Sequence, residues 1–211
     1  MRQLYGVTES DLMLSAVEIA NLHDRWTGEW HAELPQPIDP TGNDFLHTVF
    51  ANHLANFKIW HAEDETRLPE ASDHQVARAK HIIDRENQRR NDSAELCDEI
   101  LLGYLERRNL PRPDAELNTE TPGILIDRLS ILSLRLFHTA EEVYRIDAPP
   151  GHAERNRERH HILIEQCDDL VEGLDRLWQQ VLAGQRRFKQ YRPLKMYNDP
   201  TLNPALYMQH R

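Results

Sequence analysis

A histidine, two carboxylates and an arginine recur at helical spacing in the segment NHLANFKIWHAEDETR. His61 and Asp64 are three residues apart and Glu63 and Arg67 are four apart, so each pair shares one face of a helix. Imidazole nitrogens and carboxylate oxygens on one turn can ligate a divalent cation or position a water molecule. The alternative is a solvated face with a Glu63–Arg67 ion pair, but Trp60 interrupts this stripe and indicates that it is partly covered.

A second polar stripe runs through the segment HIIDRENQRRNDSAELCDEI, with Arg90 beside it. Its members follow one another in steps of three, four, four and three: Asp84, Asn87, Asn91, Glu95 and Asp98. Asparagine is a mediocre helix former, so two of them in mid-helix indicate side chains that make specific hydrogen bonds. A ligand site and a buried polar network between helices are equally good interpretations of this stripe.

Two facing stripes of carboxylates could together hold Mg²⁺ or Mn²⁺, which would in turn bind phosphate oxygens. All-α nucleotide pyrophosphohydrolases are built this way, with an E-x-x-E pair on one helix and an E-x-x-D pair on the next. Here Glu95 and Asp98 fit the second pair, whereas the first stripe departs from the pattern. The candidate metal ligands are His61, Glu63, Asp64, Glu95 and Asp98. Among the 12 histidines, His61 is the first candidate, followed by His53 and His138.

Two further segments could complete such a site. Asp127 and Arg128 interrupt the otherwise apolar segment GILIDRLSIL, where a charged residue is rarely left unpaired. They could form a core ion pair or a third wall of the site. The segment FKQYRPLKMYNDPTLNP near the end of the chain contains Lys189, Arg192 and Lys195 and is locally basic. It could be a lid that carries phosphate ligands, or an extension that follows the surface. The candidate ligand-binding residues are Asn56, Trp60, Arg67, Asp84, Asn87, Arg90, Asn91, Asp127, Arg128, Lys195, Tyr197 and Asn198.

Helical periodicity and Pro and Gly positions predict the elements that must position these residues. We expect a single-domain all-α bundle of five long helices over residues 9–32, 44–67, 72–108, 121–147 and 152–183. Thr8 is the expected N-cap of the first helix, and Thr121-Pro122 starts the fourth. Residues 185–211 contain three prolines but also several aromatic and aliphatic residues, which predicts a non-helical tail docked on the bundle.

The fifth predicted helix carries an apolar seam with steps of four and three: Leu163, Cys167, Leu170, Leu174, Leu177 and Val181. Such a seam packs against another helix, and it is where a homo-oligomer or a partner could form.

The overall composition narrows the class of protein. The net charge is −10, which argues against nucleic-acid binding because that function needs a basic face. The two cysteines have no disulfide or metal spacing, which favours a reducing compartment. No signal peptide and no apolar run of membrane-spanning length is found, so we expect a cytoplasmic protein without membrane insertion.

The segments NFKIWHAEDETR, IIDRENQRRND, ETPGILIDRLSIL and KMYNDPTLNPALY resemble the domain-of-unknown-function 4254 family, and together they span most of the chain. The resemblance implies a bacterial, all-helical, cytoplasmic protein that is associated with glycosyltransferases and surface-polysaccharide assembly. It supplies no catalytic residues.

Two hypotheses follow. The first is a divalent-metal-dependent hydrolase or transferase that acts on a phosphorylated small molecule, such as a nucleotide or nucleotide-sugar. It requires the stripe residues to converge in one cavity. The second is a non-catalytic binding or partner protein of glycan assembly, in which the stripes are networks of paired side chains between helices.

Overall fold

The computed structural model describes residues 15–35 and 44–191, together with residues 201, 202 and 204. The five helices are α1 (Ala16–Ala32), α2 (Asp44–Thr66), α3 (Asp73–Glu106), α4 (Pro122–Tyr144) and α5 (His152–Leu182). The two short parallel strands are β1 (Glu116–Leu117) and β2 (Arg186–Arg187). The predicted all-α bundle of five long helices is confirmed.

The helices pack as two hairpins with α1 laid against them. The most extensive contacts are between α2 and α3 and between α4 and α5, while α4 also contacts α1, α2 and α3. The central position of α4 explains why its sequence is apolar on nearly every side. Its Ile126 and Leu129 are buried in one core with Phe45, Leu101 and Leu174.

Local capping groups decide where the helices begin. Thr121 caps α4 by accepting a hydrogen bond from the Ile124 N–H, with Pro122 at the first helical position, as predicted. The N-cap of α1 is Ser15, which forms a capping box with Glu18. The predicted start of this helix at residue 9 is therefore wrong, because the chain leaves the helical conformation at Ser15. The expected cap Thr8 lies outside the described residues.

The segment after α5 docks on the bundle, as predicted for the first part of the tail. Arg186 pairs with Glu116 in the β1–β2 ladder, which was not predicted, and Phe188 is buried. Residues 192–200 and 205–211 lie outside the described part of the chain.

The apolar seam of α5 faces the chain's own core. Leu174, Leu177 and Val181 are buried there, and Cys167 and Leu170 pack against them half-buried. Along this half of α5, the predicted partner surface is therefore covered by the chain's own core. Across the described residues, no helix is both long enough and apolar enough to cross a membrane.

The closest approach of α3 to α4 occurs at Gly123. A side-chain Cβ at this position would overlap the backbone carbonyl oxygen of Ala94, whereas a Cβ at Gly173 in α5 would meet no atom within 4 Å. A backbone neighbour cannot rotate away as a side chain can. Gly123 is therefore required by packing, and Gly173 is not.

We predict opposite effects for two glycine-to-alanine substitutions. Gly123→Ala should lower the free energy of unfolding by about 1–3 kcal/mol, because α3 and α4 must separate to admit the methyl group. Gly173→Ala, the matched control, should raise it by about 0.5–1 kcal/mol, since alanine is the better helix former. Urea unfolding followed by circular dichroism measures both. A neutral or stabilising Gly123→Ala would contradict the packing described for α3 and α4.

Candidate functional site

The Asp127 carboxylate is the centre of the polar contacts between α2, α3 and α4. It is buried, and the Arg90 guanidinium of α3 donates to both of its oxygens, with Nε 2.8 Å from Oδ1. The side-chain amides of Asn52 and Asn56 on α2 donate to Oδ1 at 3.0 and 2.9 Å. The hydrogen bond to Asp127 raises the pKa of Arg90, so this ion pair stays charged. Asp127 is thus a core ion pair, one of the two predicted alternatives.

A chain of buried hydrogen bonds continues from Asn56 towards α1. The Asn56 amide donates to Ser130 Oγ at 3.0 Å, and Ser130 Oγ lies 2.8 Å from His53 Nδ1. His53 Nε2 lies 3.0 Å from Thr27 Oγ1. Burial lowers the pKa of His53 well below its ordinary value, so this ring is neutral and accepts at one nitrogen while donating at the other. His53, a secondary candidate ligand, is engaged in this network.

A cavity of about 360 Å³ opens beside the network, between α2, α3 and α4. Six of the predicted site residues line it: Asn56, Trp60, Glu63, Asp64, Arg67 and Arg90. Arg135 of α4 lines it as well, and this guanidinium has no hydrogen-bond or ion-pair partner among the described residues. Arg67 is paired with Glu63 at 2.8 Å. We call this space the arginine cavity.

The other predicted carboxylates lie elsewhere. Glu95 and Asp98 line a separate cavity of about 230 Å³, together with Asn91 and Tyr191. Asp98 Oδ1 accepts a hydrogen bond from the Gly123 N–H at 2.7 Å, so it binds the first turn of α4. The five predicted metal ligands are therefore not brought together, because Asp98 is used to anchor α4 and Glu63 to pair with Arg67.

The remaining predicted residues do not join either cavity. Asp84 is exposed and paired with Lys80, and Arg128 is exposed and bonded to Glu120 at 2.7 Å. Asn87 is half-buried on α3, and none of the cavities described above or below includes it. Three residues of the proposed lid lie outside the described part of the chain: Lys195, Tyr197 and Asn198.

Three histidines converge next to Trp60. A ring nitrogen of His31 on α1, of His61 on α2 and of His138 on α4 each lies within 4.8 Å of the other two. The Nε2 atom of every one of these rings is buried and has no hydrogen-bond partner among the described residues. We call this group the histidine cluster. It contains the leading sequence candidate, His61, but replaces the predicted carboxylates with two further imidazoles.

Aromatic side chains hold the rings of the histidine cluster in place. Trp60 stacks in parallel on His138 with ring centroids 4.7 Å apart, and Phe137 stacks on His31 at 4.1 Å. Phe57 packs edge-on against His61 at 4.5 Å. Trp60 thus belongs both to this aromatic shell and to the wall of the arginine cavity.

Several of these residues could not be found from the sequence stripes. His31 stands at the end of α1 without any patterned neighbour, and it reaches the cluster only because α1 packs on α4. Arg135 sits on an exposed position of the apolar fourth helix. Glu86 differs from these residues, because the sequence does contain a signal for it. Its buried carboxylate pairs with Arg85 and Arg89 on its own helix, and the spacing of three residues between Glu86 and Arg89 is typical of such a pair.

The fold and site define an all-α protein with a polar cavity between three helices and a buried histidine cluster beside it. The chain belongs to the family described as Protein of unknown function (DUF4254), whose model matches residues 46–190. This range includes the arginine cavity, His61 and His138, whereas His31 precedes it. No curated protein and no solved structure is significantly similar to the chain.

Asp98 generates a prediction on pH dependence. Burial, the largest cause, raises its pKa to about 6, and the nearby Glu95 charge also raises it, against hydrogen bonds from Thr121 and Gly123 that lower it. The folded-state pKa thus exceeds the unfolded value. The stability that protonated Asp98 contributes is present below about pH 4 and is lost as the pH rises through about 6.

Asp98→Asn should remove this part of the pH dependence, because asparagine mimics the protonated acid at every pH. The free energy of unfolding of wild type minus that of the variant should fall by on the order of 2 kcal/mol between pH 4 and pH 7.5. Urea titrations at both pH values test this, with Asp84→Asn as the exposed control. A difference that does not change with pH would contradict the raised pKa.

Proposed function

We propose that the protein binds a phosphorylated small molecule in the arginine cavity and acts on it as a divalent-metal-dependent hydrolase or transferase. The observation that carries the proposal is the set of three guanidinium groups, from Arg67, Arg90 and Arg135, around one cavity of about 360 Å³. In a chain with a net charge of −10, this is a local concentration of basic side chains, and the same cavity is lined by the carboxylates of Glu63 and Asp64.

The three arginines are not equally committed to protein partners. Arg135 has none among the described residues, and the Nη1 amino group of Arg90 is likewise without one there. Guanidinium groups bind phosphate oxygens in pairs of charge-assisted hydrogen bonds. Because Asp127 holds Arg90 rigidly, little side-chain entropy is lost when an anion binds to it.

The space around Trp60 favours a ligand larger than inorganic phosphate. Trp60 and Arg135 also line an adjoining cavity of about 480 Å³, whose wall includes Ile162 and Leu163 of α5. Together the two cavities have the size and mixed polarity of small-molecule sites. A nucleotide or a nucleotide-sugar could place its phosphates among the arginines and its nucleoside or sugar beyond Trp60.

Glu63 and Asp64 supply the acid groups for the chemistry. Both line the arginine cavity, and their oxygens suit Mg²⁺ or Mn²⁺, which would bridge to the phosphate. Water, or an acceptor hydroxyl in a transferase, would then attack phosphorus while the bond from phosphorus to the leaving oxygen breaks.

A second candidate function is non-catalytic binding, and the satisfied Asp127 network favours it. The Asp127 carboxylate is paired with Arg90 of another helix, which is the pattern expected of polar residues that hold helices together. Asp84 and Glu63 are paired with basic side chains of their own helices and so are also engaged within the protein. In this case the cavity would bind its ligand without turnover, as part of a partner protein for glycosyltransferases in surface-polysaccharide assembly.

The resemblance to the domain-of-unknown-function 4254 family and the state of the two cysteines bear on the cellular location of the protein under either function. We propose a bacterial, cytoplasmic protein. Cys97 and Cys167 are free thiols, and burial raises the pKa of the Cys167 thiol to about 11, so it is a poor nucleophile. Free, unreactive cysteines accord with a reducing compartment.

We predict that nucleoside diphosphates or nucleotide-sugars, with Mg²⁺ or Mn²⁺, raise the thermal melting temperature and bind in isothermal titration. Arg135→Gln and Arg67→Gln should each weaken binding by about 10- to 100-fold, since a hydrogen bond to a charged group contributes about 1.5–3 kcal/mol. Arg157→Gln on exposed α5 is the control and should bind as wild type does.

The same ligands separate the two candidate functions. If the wild-type protein releases phosphate or a nucleoside monophosphate from these ligands and Asp64→Asn does not, the result supports an enzyme. If the ligands bind tightly and no product forms, the result supports a binding protein. If no phosphorylated compound binds, or if Arg135→Gln and Arg157→Gln bind equally well, the arginine cavity is not the site.

A further inference from the structure

We propose that His31, His61 and His138 form a binding site for a zinc-class divalent metal ion. The site does not depend on the arginine cavity, because its ligands and the ion it selects are different. Three helices contribute one imidazole each, so the site exists only in the folded chain.

The position of the ligand atoms is the first argument. Ring nitrogens of the three histidines already lie within 4.8 Å of one another. Around a tetrahedral zinc ion with bonds of about 2.0–2.1 Å, the nitrogens stand about 3.4 Å apart. Rotations of the side chains that shorten these separations by at most about 1.4 Å would therefore complete the coordination.

The hydrogen bonds to the other ring nitrogens are the second argument. His31 Nδ1 lies 2.7 Å from the Thr27 carbonyl oxygen, which can only accept, so Nδ1 carries the proton. His138 Nδ1 lies 2.9 Å from a carboxylate oxygen of Glu141 and donates to it in the same way. In a neutral imidazole this leaves the Nε2 lone pair free. Metal-binding histidines are oriented by this kind of bond to a carbonyl or a carboxylate.

The charges around the cluster are the third argument, beside the position of its ligand atoms. Burial is the largest cause that lowers the pKa values of His61 and His138, and the neighbouring histidines lower them further. Asp64 and Glu141 act on both pKa values in the opposite direction, which places negative charge near the group, where it would stabilise a bound ion.

The cost of leaving the cluster without a partner supports the same conclusion. A buried polar nitrogen without a hydrogen-bond partner destabilises the folded state, and the cluster holds three of them. His53 avoids this cost by bonding through both nitrogens, whereas His23 also leaves buried ring nitrogens without a partner among the described residues. The nitrogens of the histidine cluster differ from those of His23 because three of them lie together, within reach of one ion. A metal ion would satisfy all three Nε2 atoms at once.

The ligand type selects the class of metal. Three imidazole nitrogens suit Zn²⁺ and its neighbours in the transition series, whereas Mg²⁺ and Ca²⁺ prefer oxygen. Three protein ligands also leave a fourth position for water or a substrate atom, as in catalytic zinc sites. His138 and its stacking partner Trp60 line the cavity of about 480 Å³, so this cavity adjoins the histidine cluster.

The test is zinc binding by the full-length protein after chelator treatment, without any phosphorylated ligand. We expect one Zn²⁺ per chain in isothermal titration, and intense visible absorption bands of tetrahedral Co²⁺ when cobalt replaces zinc. His61→Ala and His138→Ala should each weaken binding by at least 100-fold. Glu141→Gln, a change at the surface that spares the ligands, should weaken it by about 10- to 100-fold by releasing the His138 ring.

His81→Ala on the exposed face of α3 is the matched control and should bind as wild type does. Circular dichroism verifies that each variant is folded, and Glu141→Gln keeps the test decisive if a histidine variant is not. The proposal is overturned if zinc does not bind stoichiometrically, or if His61→Ala, Glu141→Gln and His81→Ala all bind equally. Because no phosphate is present, failure here leaves the arginine cavity unaffected, and the converse also holds.

Discussion

The buried negative charge of Asp127 is the constraint on which the rest of the structure depends. An unpaired carboxylate inside a helical bundle is so costly that adjacent helices must supply partners for it. Arg90 comes from α3, and Asn52 and Asn56 come from α2. Three helices are thereby fixed in one register around a single side chain. The hydrogen bonds that continue through Ser130 and His53 carry the same constraint towards α1.

This centre divides the polar residues into two roles. Side chains that point at Asp127 form hydrogen bonds to its carboxylate, whereas side chains one turn further along α2 line the arginine cavity. Asn56 and Arg90 belong to both groups, and the pairing of Arg90 with Asp127 gives the cavity a rigid basic wall. Trp60 connects the arginine cavity with the histidine cluster, because its ring lines the cavity and stacks on His138. The molecule thus places a candidate anion site and a candidate metal site next to each other.

The sequence predicts the helices well because their signals are local. Thr121-Pro122 starts α4, the apolar periodicity of α4 indicates its central position, and the stripe of α2 predicts five of the residues that line the arginine cavity. The sequence predicts the metal ligands poorly, because the packing of distant helices decides which side chains come together. Spacing shows that Glu95 and Asp98 share a face, but not that this face anchors Gly123. His31 is invisible to such reasoning, since only the packing of α1 on α4 brings it to His61 and His138.

A double-mutant cycle between Arg90 and Asp127 tests the central claim most directly. In wild type, Arg90→Gln should lower the free energy of unfolding by about 3 kcal/mol, because it leaves a buried carboxylate without its main partner. In an Asp127→Asn background the same change should lower the free energy of unfolding by less than about 1 kcal/mol, since no buried carboxylate remains for Arg90 to pair with. An equal cost of Arg90→Gln in both backgrounds would contradict the account, because the arginine would then act through packing alone and not through the buried charge.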